Sequence, residues 1–185
     1  MRPILCILFF FFAIPVAAQQ WALKTDLPYW LTATPNLGLE AGLSPRLTLD
    51  LEASANPFTF SNNRKWKHWM VRSELRYWLC ERFYGHFFGI HLGAGEYNLA
   101  RISLPWPHLK KQYRYEGWMV QAGVSYGYTW VLGKRWNLEA TLGLGYIHAD
   151  YKRFDCPKCG EYRNRDKKNY VAPTHVGVNL IYLIK

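Results

Sequence analysis

Leu47-Thr48-Leu49-Asp50-Leu51-Glu52-Ala53-Ser54-Ala55-Asn56 alternates without a break. Successive side chains of an extended chain point to opposite faces. Leu47, Leu49, Leu51, Ala53 and Ala55 therefore share one face, and Thr48, Asp50, Glu52, Ser54 and Asn56 share the other. Trp136–Gly145 repeats the split, with Trp136, Leu138, Ala140, Leu142 and Leu144 opposing Asn137, Glu139, Thr141, Gly143 and Gly145. One face of each stretch is apolar and the other carries polar and charged groups.

Working outward, the same period marks eight strands: Trp21–Pro28, Asn36–Leu43, Leu47–Asn56, His68–Leu79, His86–Tyr97, Gly117–Val131, Trp136–Tyr151 and Thr174–Ile184. The links Ser44–Arg46, Cys80–Gly85 and Leu132–Arg135 are short. Pro57–Lys67, Asn98–Glu116 and Lys152–Pro173 are long, and Tyr29–Pro35 is intermediate. Strict alternation of short and long links is the rule of outer-membrane barrels, with short periplasmic turns and longer external loops. The expected fold is all-β: an eight-stranded, antiparallel, up-and-down transmembrane β-barrel with both ends on the periplasmic side. Trp69 and Tyr77, Trp118 and the group Tyr126, Tyr128 and Trp130, and Trp136 and Tyr146 bracket apolar stretches of about eight to ten residues. That length suits a tilted strand crossing an apolar band of ~25 Å. In water such outward apolar faces would aggregate, whereas lipid requires them. The competing reading is a soluble sandwich or lipocalin-like barrel with ordinary core aromatics.

The start of the chain reads differently. Met1-Arg2 is followed by an almost unbroken apolar run from Ile4 to Val16 and by small residues at Val16-Ala17-Ala18. This is the pattern of a cleaved signal peptide over residues 1–18, with the barrel domain over 19–185. Cys6 lies inside the run without a lipobox, so no lipid anchor is expected. No later apolar stretch approaches the ~20 residues of a spanning helix. Aromatics make up 17% of the chain, which suits girdled strands, and the formal charge of +10 suits a surface that meets anions.

The inward set holds the charges. An ion-pair network of Glu40, Asp50, Glu52, Arg72, Glu74, Arg76 and Glu139 is expected, with Arg72 and Arg76 at its centre. Lys24, Asp26, His91, Gln121, His175 and Asn179 fall on the same face. Buried charges persist only when paired or hydrogen-bonded. The functional alternative is a proton or ion path. A general pore is disfavoured, because side chains fill an eight-stranded barrel.

Few motifs carry chemistry. Gly123-Val124-Ser125-Tyr126-Gly127 fits G-x-S-x-G, but a nucleophile elbow needs a strand-to-helix turn and this stretch lies inside a strand. Cys156-Pro157-Lys158-Cys159-Gly160 resembles half of a zinc knuckle. A loop disulfide between Cys156 and Cys159, or free thiols, is favoured over metal, for which His148 and Asp150 would be further ligands. Lipid-modifying barrels place His, Ser and an acid near the outer rim, and His68, His148, Ser61, Ser103 and Asp150 fall there. No His-x-Ser signature occurs. The long links are basic and aromatic. Lys65, Lys67, Lys110, Lys111, Arg163, Arg165, Lys167 and Lys168 are the candidate anion contacts, toward lipopolysaccharide phosphates and acidic sugars rather than nucleic acid.

Several stretches together resemble an uncharacterised family, domain of unknown function 3575. They are Ala22–Leu27, Thr34–Glu40, Asn56–Trp69, Arg76–His91, Gly95–Asn98, Gly123–Tyr146 and Cys156–Gly160. The resemblance implies a small outer-membrane-type barrel of Gram-negative bacteria. Some members of that family are encoded near fimbrial or surface-assembly genes, which implies an envelope role with surface or fimbrial assembly proteins as partners, and the resemblance carries no catalytic residue over. The architecture is similar to OmpA- and OmpX-like barrels. The expectation is thus a monomeric, cofactor-free outer-membrane barrel with a structural, adhesive or surface-assembly role. The alternatives are a lipid-modifying acyl hydrolase or transferase and a soluble periplasmic binding barrel.

Overall fold

The structure is a computed structural model and describes residues 20–60, 64–101, 113–155, 160 and 162–184. The expected signal peptide, residues 1–18, lies outside the described residues. The strands are β1 (Trp21–Asp26), β2 (Asn36–Ser44), β3 (Leu47–Asn56), β4 (Thr59–Phe60), β5 (Arg64–Trp78), β6 (Gly85–Ala100), β7 (Arg114–Val131), β8 (Trp136–Phe154) and β9 (Tyr162–Ile184). A single turn of helix, α1 (Leu27–Leu31), follows β1.

Every neighbour in the sheet is antiparallel. β1 pairs β9 from Trp21↔Ile184 to Asp26↔Asn179, and β3 pairs β5 from Leu47↔Tyr77 to Asn56↔His68. These two pairings close β1, β2, β3, β5, β6, β7, β8 and β9 into one ring, so no main strand is left as an open edge. β4 is a two-residue addition on the start of β5. The lower end of the ring holds the β2–β3, β5–β6 and β7–β8 turns. The upper end holds α1 and β4.

Five strands, β5 to β9, run further than their alternation suggests, and β9 most of all. Residues 162–173, expected within a loop, pair with β8 as far as Phe154↔Tyr162. Pro173, which argues against a strand interior, sits at a register shift where Leu144 faces Pro173 and Gly143 faces His175. A proline is tolerated at such a bulge, where its missing N–H breaks no ladder bond. The first strand is shorter than expected, because Pro28 occupies the first turn of α1, where a helix needs no N–H.

The faces are inverted relative to a water-soluble protein. Arg76, Glu40 and Glu139 are fully buried inside the ring, while Ile90, Leu92, Val124 and Val176 outside are each more than 60% exposed. The apolar belt continues around every main strand, and a patch of that extent marks a contact surface rather than a solvated one.

The interior is stacked in three storeys. At the bottom, Trp78, Phe83, Phe87, Ala22 and Ile181 form an apolar plug. Phe83 enters from the β5–β6 turn at φ +63°. Its carbonyl accepts a bond from Asn137 Nδ2 at 2.9 Å, which holds this unfavourable backbone in place. A Cβ on Gly127 would land on the Phe87 ring, so this strand position requires glycine for the ring to lie flat on the wall. The middle storey is charged. The upper storey is aromatic, built on Tyr115 and Tyr151 with Tyr97, Leu99 and Tyr113 packed around them.

Candidate functional site

Two groups of side chains have functional potential: the charged storey inside and the basic crown above the belt. Inside, alternation along β1, β2, β3, β5 and β8 brings two cations among four carboxyls. Lys24 Nζ donates to Glu40 at 3.0 Å, Asp50 at 3.4 Å and Glu139 at 2.9 Å. The Arg76 guanidinium pairs with Glu40 at 3.0 Å, Asp50 at 2.9 Å, Glu74 at 3.2 Å and Glu139 at 3.0 Å. Hydroxyls and amides supply further donors: Thr48 and Ser125 each donate at 2.6 Å, to Glu40 and Glu74, and Asn179 donates to Glu139 at 3.0 Å. The carboxylates are thus solvated by protein groups instead of water.

Of the residues expected in one network, Glu40, Asp50, Glu74, Arg76 and Glu139 meet here, joined by Lys24. Arg72 and Glu52 do not share this centre. They form a second, higher cluster in which Arg72 Nη2 donates to Glu52 and lies 3.2 Å from His175 Nε2. His175 is 3.4 Å from Asp26, whose other oxygen accepts the Val178 N–H at 3.2 Å. Ligand atoms of Asp26, Glu52 and His175 fall within 4.8 Å of one another, close enough in spacing for a metal ion. The Arg72 guanidinium already supplies the positive charge among them. Ser125, the serine of the G-x-S-x-G stretch, is buried in β7 and bonded to Glu74 rather than to a histidine.

The crown is assembled differently from expectation. Arg163, Arg165 and Lys167, placed by sequence in a loop, share the outward face of β9. Arg165 grips Asp150 with two bonds of 2.7 Å, and Lys167 lies 3.9 Å from the same carboxylate. The Arg165 hydrogen bonds hold the Asp150 carboxyl below the ordinary aspartate range. Arg163 pairs with Asp155 at 2.9 Å and donates to the Tyr113 hydroxyl at 3.1 Å. Lys168 departs from its expected place: it turns inward and lines the mouth of the ring, because it is one residue out of phase with Lys167. Lys65 and Lys67 lie on the upper part of β5. Lys110, Lys111, Cys156 and Cys159 lie outside the described residues. His148, the candidate third metal ligand, bonds Asn169 at 2.5 Å and packs on Trp118.

Below these cations an open groove of about 820 Å³ runs along the outer wall, lined by Lys67, Trp69, Glu96, Trp118, Lys152 and Arg165 among others. Trp69 Nε1 donates to Glu96 at 3.1 Å, which orients the indole along the upper margin of the belt. Cations, carboxylates and two indoles thus meet where the apolar surface ends.

The family described as "Protein of unknown function (DUF3575)" matches residues 4–184. The chain belongs to that family. The DUF3575 match takes in the whole ring, so both the charged storey and the crown belong to the family's own domain. No curated protein and no solved structure matches the chain.

The alternation exposed the inward charges but not their division into two clusters. It also missed α1 and the inward turn of Lys168. The signal for Lys168 was its phase relative to His175 across the Pro173 bulge, which sequence alone does not count.

Proposed function

We propose that this chain is a monomeric bacterial outer-membrane barrel with a structural, adhesive or surface-assembly role, exerted through its basic aromatic crown on anionic glycolipid. The observation that carries the reading is the inversion of the faces. An apolar belt bounded by Trp69 and Trp118 above and by Tyr77, Trp130 and Trp136 below surrounds a buried charged interior. Lipid favours that arrangement, since a closed ring leaves no backbone edge unsatisfied in hydrocarbon. In this reading the upper end faces outward. Lys67, Lys152, Arg165 and Lys167 then stand at headgroup height beside two indoles, which suits the phosphates and acidic sugars of lipopolysaccharide. The interior does not favour a transport role, because ion pairs close its middle level and an apolar plug closes its bottom.

The test has two stages. Cells making the protein are fractionated, and the outer-membrane fraction is run on a detergent gel with and without boiling. A heat-dependent mobility shift in that fraction is expected; release into the soluble periplasm without a shift overturns the membrane reading. Lipopolysaccharide binding is then measured at low and high salt, for the wild type and for a Lys67, Arg165 and Lys167 triple glutamine variant. Binding should weaken with salt and fall about tenfold in the variant. Association indifferent to both changes removes the crown from the role. Acyl hydrolysis or transfer that disappears on replacing His148 would instead make the protein an enzyme.

A further inference from the structure

The upper storey encloses a space that neither the charged network nor the crown uses. A cavity of about 340 Å³ lies inside the mouth of the ring, with Trp66, Met70, Tyr97, Met119, Tyr151 and Tyr170 on its walls. Its side toward β1 is closed by α1 and the residues after it, through Tyr29, Thr32 and Thr34, instead of by strand. The next inward positions down the strands carry the Arg72–His175 cluster and Gln121, whose Nε2 lies 3.9 Å from Met70 Sδ. Below these stand the charged storey and the plug, so the cavity is a cup closed from below.

Protein interiors leave few voids larger than a water, and this cup is far larger. Its lining has the chemistry of a binding site: mostly aromatic and apolar, with a small number of polar groups. The composition is not random. The chain contains three methionines, and apart from Met1 both of them, Met70 and Met119, line this cup. Methionine is flexible and polarizable and adapts to aromatic and aliphatic partners alike. Among the described lining residues there is no carboxylate. Lys168 is the one permanent cation and His68 the one imidazole, and both lie toward the mouth. The His68 ring lies with Nδ1 3.2 Å from the Trp66 carbonyl. Tyr151, whose hydroxyl donates to Asp166 at 3.3 Å, fixes one wall.

From these observations we infer that the mouth of the barrel is a binding cup for a small amphiphile with an apolar or aromatic body and one anionic end. The body packs between Met70, Met119 and the tyrosines, and the anionic end meets Lys168. At ~30 Å³ for each water-sized group, the cup takes about a dozen non-hydrogen atoms. This goes beyond the crown's contact with glycolipid, since the cup lies inside the ring and the crown groove outside it.

The two internal methionines make the test direct. The full chain is prepared with methyl-labelled methionine in lipid nanodiscs, and its NMR spectrum is followed during titration with 2-naphthoate. Should the chain need no lipid, the same titration runs in buffer. Both methionine methyls should shift and saturate together, as ring currents require if the naphthalene lies between them. Ala149→Trp, which fills the cup from β8, should abolish the shifts. Lys168→Gln should weaken binding about tenfold, the effect of losing one charge-assisted contact. The cationic counterpart, 2-naphthylmethylammonium, should bind at least tenfold more weakly than the acid. Retention of the heat-dependent gel shift checks that each variant is folded. Methyls that stay put at saturating naphthoate in the wild type overturn the cup outright. Shifts that persist in a folded Ala149→Trp variant relocate binding elsewhere and overturn it too. Equal affinity for the acid and the amine overturns the anionic class.

Discussion

Arg76 is the residue on which the interior turns. It is fully buried, touches four carboxyl groups and stacks on Phe87 at 4.6 Å, so it joins the charged storey to the apolar plug. Replacing it with methionine would keep much of the volume but leave Glu40, Asp50, Glu74 and Glu139 facing Lys24 alone. Breaking a buried ion pair from one side costs about 3–5 kcal/mol. Arg76→Met should therefore lower the unfolding free energy by about that amount in a urea titration of the folded barrel, and a loss below ~1 kcal/mol would mean the network contributes little. That Arg76 points inward was legible from alternation alone. Its partners were not. Glu139 lies 63 positions away, and His175 lies 103 positions from Arg72. Which inward charges share a level depends on how far each strand is staggered against the next. Stagger is a property of the closed ring, and the turn sequences constrain it only locally.

At the scale of elements, the informative discrepancy is the β8–β9 hairpin. Within the belt, one face meets an apolar surface and the other a polar core, so the period of two is written plainly in Leu138, Ala140, Leu142 and Leu144 against Glu139, Thr141 and Gly143. Above the belt that demand lapses. Lys152, Arg163, Arg165 and Lys167 look like loop residues because nothing requires an apolar outward face there, yet the backbone ladder continues to Phe154↔Tyr162. Cross-strand contacts support it: Arg165 on Asp150, and the Arg114 guanidinium 4.3 Å over the Phe154 ring. Asp150 supplies the pH test of this extension. A carboxyl with a depressed folded pKa adds stability above its unfolded value of ~3.9, and loses that contribution as pH falls through the folded value. The Asp150 carboxyl, followed by NMR, should titrate below the ordinary aspartate range, and the upper hairpin should loosen only under that acid condition. Arg165→Gln should return the midpoint to the ordinary range. An unchanged midpoint in that variant would separate Asp150 from the pairing that extends the hairpin.

For the whole molecule, the stacking of the three storeys sets what the ring can do. Eight strands enclose just enough room for side chains, and here the room is divided rather than uniformly filled. The upper third holds the cup, the middle is tied by ion pairs of 2.9–3.4 Å, and the bottom is closed by Trp78 and Phe87 with ring centroids 4.8 Å apart. Water or ions entering from above meet two seals of different chemistry in series. Removing one leaves the other: Trp78→Ala opens a gap in the plug but does not touch the Lys24 and Arg76 pairs, apart from freeing Thr48 from the indole N–H that now donates to it at 2.9 Å. The purified protein in a planar bilayer should therefore give no conductance steps under applied voltage, and Trp78→Ala should stay silent as well. Stable ohmic steps from the wild type would mean that the charged storey opens on its own, and the interior would then be an ion path rather than a seal. Steps from Trp78→Ala alone would place the whole barrier in the aromatic plug and leave the ion pairs with a purely structural part.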